Sequence, residues 1–301
     1  MRKLVSLIKK SQIGTVKTEV NLSNFTTYKV GGTAKVMVYP KSVDKLIELI
    51  KILREENVKY MILGYGSNVI FSDYSYDGVI IKLDELNKIT ISDTIITAQA
   101  GVSLIKLANI SCKHGLTGLE FASGIPGSLG GAIYMNAGAY KSDMGYITSS
   151  IKVLTPDLQV KTLYNKELEY KYRDSFLRRN KDYICIEATL ILMHGDKKEI
   201  KKLIETRRHK RLMTQPLEYP SAGSVFRNPE NDFAGRLIEE CNLKGFSIGG
   251  AKVSEKHANF IINYKNASAS NIKNLIDYVH DKVKEKKNVD LKIEQEFINW
   301  E

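Results

Sequence analysis

Two glycine-bearing stretches and a few polar side chains hold most of the chemical potential of this chain. Residues 121–138 read Phe-Ala-Ser-Gly-Ile-Pro-Gly-Ser-Leu-Gly-Gly-Ala-Ile-Tyr-Met-Asn-Ala-Gly. Gly124, Gly127, Gly130, Gly131 and Gly138 crowd this stretch, and glycine at that density marks unusual backbone angles or a close approach to another group. Ser123, Ser128 and Asn136 add hydrogen-bonding groups, while Ile125, Leu129, Ile133, Tyr134 and Met135 are too apolar for a solvated linker. An apolar, weakly polar, glycine-rich loop of this kind suits a large flat cofactor with a phosphate tail.

Leu63-Gly-Tyr-Gly-Ser-Asn68 is a second such stretch. It lacks the third glycine of a dinucleotide fingerprint and the Gly-Lys-Ser/Thr of a phosphate loop. It offers backbone N–H groups beside Ser67 and Asn68, which suit phosphate oxygens, and it reads equally as a plain turn. Pro220-Ser-Ala-Gly-Ser-Val-Phe-Arg-Asn-Pro229 gathers Ser221, Ser224, Arg227 and Asn228. A serine there is either a nucleophile with a base nearby or a proton donor, or the stretch is a polar interdomain loop. The absence of a Gly-x-Ser-x-Gly elbow argues against a hydrolase. Arg173, in Tyr170-Lys-Tyr-Arg-Asp-Ser175, carries a planar fork matched to a carboxylate or phosphate, or else to a surface ion pair. Glu294 and Glu296 alternate with apolar neighbours, so period-2 geometry sets both on one face of a strand, which is a site or simply the solvent side.

The surrounding pattern supplies the elements that position these groups. Val43, Leu46, Ile47, Ile50 and Leu53 recur at helical spacing behind Ser42, a residue suited to an N-cap. Tyr60–Leu63 reads as a short buried strand, and Val79–Lys82 as another after an Asp77-Gly78 turn, an α/β arrangement. Residues 88–99 predict a hairpin around Ser92-Asp93. Leu104, Leu107, Ala108 and Ile110 predict a helix ended by Gly115. Strands follow at 151–164 and 183–193, then a basic helix from Ile200 to about Met213. Asp232 is expected to cap a short helix carrying Ala234, Leu237 and Ile238. Ile272 to Val283 form the last helix, and Leu291–Trp300 the last strand.

The 301 residues suffice for two or three domains. At 43% hydrophobic and 26% charged residues, the composition is that of a soluble globular chain. No run approaches the roughly 18–20 apolar residues of a membrane span. The N-terminus carries an apolar core shorter than the roughly 7–15 residues of a secretory signal, so it reads as an amphipathic helix of a cytoplasmic protein. Cys112, Cys185 and Cys241 are odd in number and far apart, which argues against zinc, iron–sulfur and disulfides; each is expected to be a small buried hydrophobe. The net charge of +11 favours an anionic partner, either nucleic acid or a nucleotide-like small molecule. The basic clusters, such as Arg207-Arg208-His209-Lys210-Arg211, come with no recognisable nucleic-acid module, and a nucleic-acid reading leaves the glycine stretches unexplained.

In order along the chain, these motifs resemble one family. The stretch 63–68, Ser-Gly-Ile-Pro-Gly-Ser-Leu-Gly-Gly-Ala at 123–132, Tyr172-Arg173-Asp-Ser175, Gly223-Ser-Val-Phe-Arg-Asn-Pro229, Phe233-Ala-Gly-Arg-Leu-Ile-Glu-Glu240 and Gly250-Ala-Lys-Val-Ser-Glu-Lys-His257 are similar to the UDP-N-acetylenolpyruvoylglucosamine reductases. The similarity spans about residues 20–298. It implies an α+β chain whose two-subdomain FAD-binding fold is of the vanillyl-alcohol-oxidase (PCMH-like) type, with a C-terminal α+β substrate domain. The expected divisions are 1–82 and 83–197 for the two FAD-binding subdomains and 198–301 for the substrate domain, its last strand (about 290–300) returning towards the flavin site. The implied cofactor is non-covalent FAD with NADPH as co-substrate, and no metal. The implied reaction transfers hydride from flavin N5 to the enolpyruvyl group of a UDP-sugar, in peptidoglycan synthesis. A cytoplasmic monomer, without nucleic-acid or membrane partners, is expected.

Residue by residue, the resemblance makes Ser224 the proton donor, with Arg173 and Glu296 bracketing the substrate carboxylate. Negative charge grows on that carboxylate as hydride arrives, so a fixed guanidinium stabilises the transition state more than the ground state. Glu296 helps only if it carries a proton or is otherwise neutralised. Gly64, Gly66, Ser67 and Asn68 would meet the FAD pyrophosphate, Ser123, Gly124, Ile125 and Gly131 the flavin, and Tyr28 the same cofactor. Arg227, Asn228 and His257 would meet the UDP-sugar. About ten residues separate Arg173 from the strand at Tyr183, so the chain resembles the family's short form, without the tyrosine-bearing loop. The C-terminal Ile293-Glu-Gln-Glu-Phe-Ile is looser than the family pattern, which leaves Glu294 a rival to Glu296. The other enzyme reading is an FAD oxidase of the same fold with covalent flavin, for which His114 and Cys112 are the nearest candidates.

Overall fold

Serines set five of the α-helix starts. In the computed structural model, which describes residues 1–300, Ser42 opens the helix Val43–Glu55 by accepting from the Lys45 amide. Ser103 opens Leu104–Lys113, Ser128 opens Leu129–Met135 and Ser268 opens Ala269–Lys287 in the same way. Each hydroxyl satisfies an amide that a helix start leaves without an intrahelical partner. Gly115, at φ 68°, follows the second of these helices, and Asn288, at φ 52°, ends the last. The opening helix Arg2–Lys10 buries Leu4 and Ile8.

The chain divides into two compact units. The first comprises Met1–Thr18, Val36–Tyr65 and Gly78–His209. Its five-stranded antiparallel sheet runs in the order Val160–Tyr164, Thr148–Leu154, Ile184–Ile191, Ile95–Gln99, Ile89–Ser92. The predicted hairpin is present, with Ser92 opposite Ile95, so Asp93 and Thr94 make the turn. Tyr60–Ile62 pairs parallel with Val79–Ile81, which is the expected α/β arrangement around the helix Val43–Glu55. The glycine-rich stretch is only partly loop: Glu120–Ala122 is a short 3-10 turn, and Leu129–Met135 is a helix that sends Leu129 and Ile133 into one core with Ala98, Ala188 and Leu190.

The second unit comprises Glu19–Lys35, Gly66–Asp77 and the chain from Lys210 onward. Tyr28, Val30 and Ile70 are buried in one core with Ala222, Phe226, Leu237 and Ile276, so apolar burial draws two N-terminal segments to the C-terminal ones. Within this unit the antiparallel strands Ser247–Ile248, Ala251–Val253 and Ile261–Asn263 form a sheet. Glu296–Ile298 pairs parallel with Val69–Phe71.

Several local expectations are corrected. Asp77 and Gly78 lie inside the strand Tyr76–Ile81 rather than in a turn, because that strand is paired within a sheet between Thr33–Pro40 and Tyr60–Ile62. Asp232 does not cap the helix Ala234–Glu240: the Asn228 side chain accepts from the Ala234 amide at 3.1 Å, while Asp232 grips Arg236. The last strand is Glu296–Ile298 alone, since the segment before it makes only single bridges such as Phe226 to Ile293. Cys185 and Cys241 are buried, but Cys112 is half-exposed. No helix among the described residues is long and apolar enough to cross a membrane.

Candidate functional site

In the first unit, the approach of Gly64 to Ser128 tests whether the glycines are needed. A Cβ on Gly64 would lie 2.7 Å from Ser128 Oγ, closer than real Cβ contacts. The backbone at Gly64 is therefore held against the residue that starts the helix Leu129–Met135. Gly124 and Ile125 are half-buried and Gly131 is exposed, so all three remain reachable by a ligand. Ser123 is buried, and its hydroxyl donates to the Glu120 carbonyl at 2.9 Å, which fixes the turn before Gly124. Behind Gly64 stands Lys82, which sequence reading took only as a strand end. Its ammonium is buried, donates to the Gly64 carbonyl and lies 3.3 Å from Asp84. Burial lowers the Lys82 pKa, and Asp84 opposes that shift.

Arg173 also belongs to the first unit. It sits in a tight turn closed by paired backbone bonds between Lys171 and Asp174. Its φ of 54° is left-handed, where glycine or asparagine is usual. Its guanidinium donates to the Gly138 carbonyl at 2.9 Å and stacks 5.0 Å over the Tyr172 ring. A side chain tied in this way presents its charge in a fixed place.

The second unit holds Ser224. Gly223 before it has φ 76°, and a Cβ there would meet nothing within 4 Å, so open space lies beside the serine. The loop itself is locked. Val225 and Phe226 donate their amides to Asn259, and Glu294 donates its amide to the Val225 carbonyl. Gln295 is buried and donates to the carbonyls of Ala222, Gly223 and Ser224 at 3.1, 3.4 and 3.4 Å, while its Oε1 accepts from Tyr28 at 3.2 Å. This glutamine, between the two glutamates that drew attention, was missed from the sequence; its alternation with them is the signal that could have found it.

Asn68 is brought beside the glutamates. Its carbonyl accepts from the Glu296 amide at 2.9 Å and its side chain donates to the Glu294 carbonyl at 3.2 Å. Glu294 and Glu296 are both half-buried. Ser67 is half-buried, and Gly66, at φ 66°, is buried with its carbonyl accepting from the Thr27 amide at 3.1 Å. Tyr28 is fully buried, its hydroxyl spent on Gln295 and its carbonyl on Asn263, so its side chain packs in the core. Burial raises its pKa, with the Gln295 bond opposing.

The three residues expected at the UDP-sugar also lie in this unit. Arg227 is half-buried, and its Nε is a buried donor with no protein partner, an orphan that an anionic ligand would satisfy. Asn228 is exposed but spends its Oδ1 on the helix start at Ala234. His257 accepts from the Asn259 amide through Nδ1 at 3.2 Å and tilts against Phe260, and burial lowers its pKa.

Residues 215–298 match the family model of the UDP-N-acetylenolpyruvoylglucosamine reductase C-terminal domain, and residues 34–163 match an FAD binding domain. A UDP-N-acetylenolpyruvoylglucosamine reductase from Anoxybacillus flavithermus is 45% identical over 299 residues, 99% of each chain. The reductase of that name from Bacillus subtilis is 41% identical, again over 99% of each chain. The chain belongs to the UDP-N-acetylenolpyruvoylglucosamine reductase family. The crystal structure of the Thermus caldophilus reductase superposes with a TM-score of 0.80 at 31% identity, covering 94% of this chain and 99% of that one. A glucose dehydrogenase, Phl p 4.0202, shares the fold over 65% of this chain and 44% of its own, with a TM-score of 0.51 at 10% identity. The reductase is thus an FAD-binding oxidoreductase with an α+β FAD-binding fold. Of the proposed site residues, Gly64, Gly66, Ser67, Asn68, Ser123, Gly124, Ile125 and Gly131 fall within the FAD-binding match, and Ser224, Arg227, Asn228, His257 and Glu296 within the other. Arg173 and Tyr28 fall in neither.

Proposed function

We propose that the reductase converts the enolpyruvyl ether of a UDP-N-acetylglucosamine to UDP-N-acetylmuramate, with NADPH as the electron source, in the cytoplasm and as a monomer. FAD held by the glycine-bearing stretches would supply the hydride chemistry that links NADPH to the vinyl carbon of the substrate. Ser224 Oγ protonates the neighbouring carbon. Arg173 holds the substrate carboxylate and stabilises the charge that develops there, and Glu296 brackets the same group. Gly64, Gly66, Ser67 and Asn68 hold the FAD diphosphate through backbone and side-chain donors, with Ser123, Gly124, Ile125 and Gly131 along the flavin. Arg227 Nε meets a phosphate or sugar oxygen, and Asn228 and His257 line the same ligand. Residues 1–82 and 83–197 serve the cofactor, and 198–301 the substrate.

The observation that carries this reading is the setting of Ser224. Its hydroxyl makes no protein hydrogen bond among the described residues, open space adjoins it at Gly223, and Gln295, Asn259 and Glu294 fix the backbone around it. That is the arrangement of a preorganised donor rather than of a structural serine. The test is a visible spectrum of the purified protein under anaerobic conditions. NADPH bleaches the flavin bands, and the UDP-enolpyruvyl sugar restores them. Flavin that survives denaturation attached to the chain, or bleaching with no recovery on adding the sugar, contradicts the reading and favours an oxidase of the same fold.

A further inference from the structure

Asn136 ends the glycine-rich stretch and has no part in the reaction as described above. It closes the helix Leu129–Met135 in the left-handed conformation, φ 44° and ψ 57°, and is 2% exposed. Both polar atoms of its amide are hydrogen-bonded. Nδ2 donates to the Lys171 carbonyl at 2.9 Å, and Oδ1 accepts from the Gly145 amide at 2.9 Å. The Lys171 carbonyl is the one that also accepts from the Asp174 amide, at 3.0 Å, and so closes the turn containing Arg173.

That turn needs support from outside. A non-glycine residue in the left-handed region persists only where its surroundings over-determine it. Arg178 supplies one tie, from Nη1 to the Arg173 carbonyl at 2.7 Å. Two more come from residues 136–138: Asn136 holds the base of the turn, and the Gly138 carbonyl holds the Arg173 guanidinium at 2.9 Å. We infer that Asn136 is a positioning residue for Arg173, tying the aim of that guanidinium to the end of the glycine-rich stretch. The inference rests on the proposed role of Arg173 at the substrate carboxylate.

Two substitutions separate positioning from bulk stability. Asn136→Gly keeps the left-handed backbone and removes the amide. Asn136→Asp keeps the size but sets a carboxylate oxygen against the Lys171 carbonyl. The assay is anaerobic stopped-flow of each FAD-loaded variant, with flavin retention and both half-reactions recorded. Misplacing an oriented group by a fraction of its bond length is costly, so both variants should slow reoxidation by the UDP-enolpyruvyl sugar by about 10- to 100-fold while reduction by NADPH stays within about threefold. For Asn136→Asp the second step should recover as pH falls, because a protonated carboxyl again donates to the Lys171 carbonyl. In an Arg173→Lys background, Asn136→Gly should add less than about threefold, since the two residues act as a unit. Equal slowing of both half-reactions, loss of flavin, or full multiplicative effects in the double variant would overturn the positioning role. If Arg173→Lys slows the second step and Asn136→Gly does not, the Asn136 inference alone fails. If Arg173→Lys slows neither step, the role of Arg173 itself fails.

Discussion

Replacing Gln295 by leucine should disable the support under Ser224, and the size of the effect follows from its bonds. The buried amide makes two sound hydrogen bonds, to the Ala222 carbonyl at 3.1 Å and from the Tyr28 hydroxyl at 3.2 Å, and two longer ones to the Gly223 and Ser224 carbonyls at 3.4 Å. Leucine has nearly the same volume, so little cavity forms. The loss is the orphaning of a buried hydroxyl and a buried carbonyl, at about 1–3 kcal/mol each, or about 2–6 kcal/mol together. Tyr28→Phe removes one of the orphans, so the double variant should recover about 1 kcal/mol relative to the sum of the single losses. Urea unfolding of the FAD-free protein, with single and double variants compared at constant m-value, measures this. A Gln295→Leu loss below about 0.5 kcal/mol, within the range of ordinary surface changes, would refute the claim that Gln295 braces the loop.

Other consequences are equally direct. Gly64→Ala sets a Cβ 2.7 Å from Ser128 Oγ, so either the serine rotates and the helix cap is lost, at about 1 kcal/mol, or strain of about 1–3 kcal/mol is retained. Adding Ser128→Ala should remove the clash, and the double variant should bind FAD, followed by flavin fluorescence, more tightly than Gly64→Ala alone. Asp73 receives the amides of Ala269 and Ser270 at 2.8 and 2.9 Å at the start of the last helix, and Asp73→Ala should cost about 1–2 kcal/mol in urea. Burial alone would raise the Asp73 pKa, but the Ser270 hydroxyl and the Ser270 and Ala269 amides outweigh it and leave it lowered. Its stabilisation is therefore complete above the unfolded value near about 3.9 and fades as pH falls through the folded one, so Asp73→Asn should flatten that limb of the stability–pH curve. His257, whose pKa burial lowers, stabilises above about 6.5 and loses that contribution as pH falls, a dependence that His257→Gln should abolish.

The helices were legible because their signals are local. Ser42 and Ser103 stand immediately before the residues they cap, and Gly115 immediately after a helix it ends. The misread elements are those in which another partner outbid the expected local signal. Asp77-Gly78 carries the composition of a turn, yet sheet pairing with Thr33–Pro40 and Tyr60–Ile62 draws both residues into a strand. Asp232 has the right type and place for a cap, but Asn228 reaches the helix amide and Arg236 occupies the aspartate. The site followed the same rule. Ser224, Arg173 and the glycines announce themselves by type and motif. Gln295 and Lys82 do not, since the partner of Gln295 lies 267 positions away and that of Lys82 is a backbone carbonyl. Tyr28 sat in a suggestive segment, but only packing reveals that its hydroxyl faces inward.

The central claim is that Ser224 serves the second half of the reaction and not the first. The most direct test is anaerobic stopped-flow of Ser224→Ala with bound FAD. Loss of a positioned proton donor is worth about 10²–10⁴ in rate, so flavin reduction by NADPH should match the parent protein while reoxidation by the UDP-enolpyruvyl sugar slows at least about 100-fold. Equal slowing of both steps, or unimpaired reoxidation, would contradict the account.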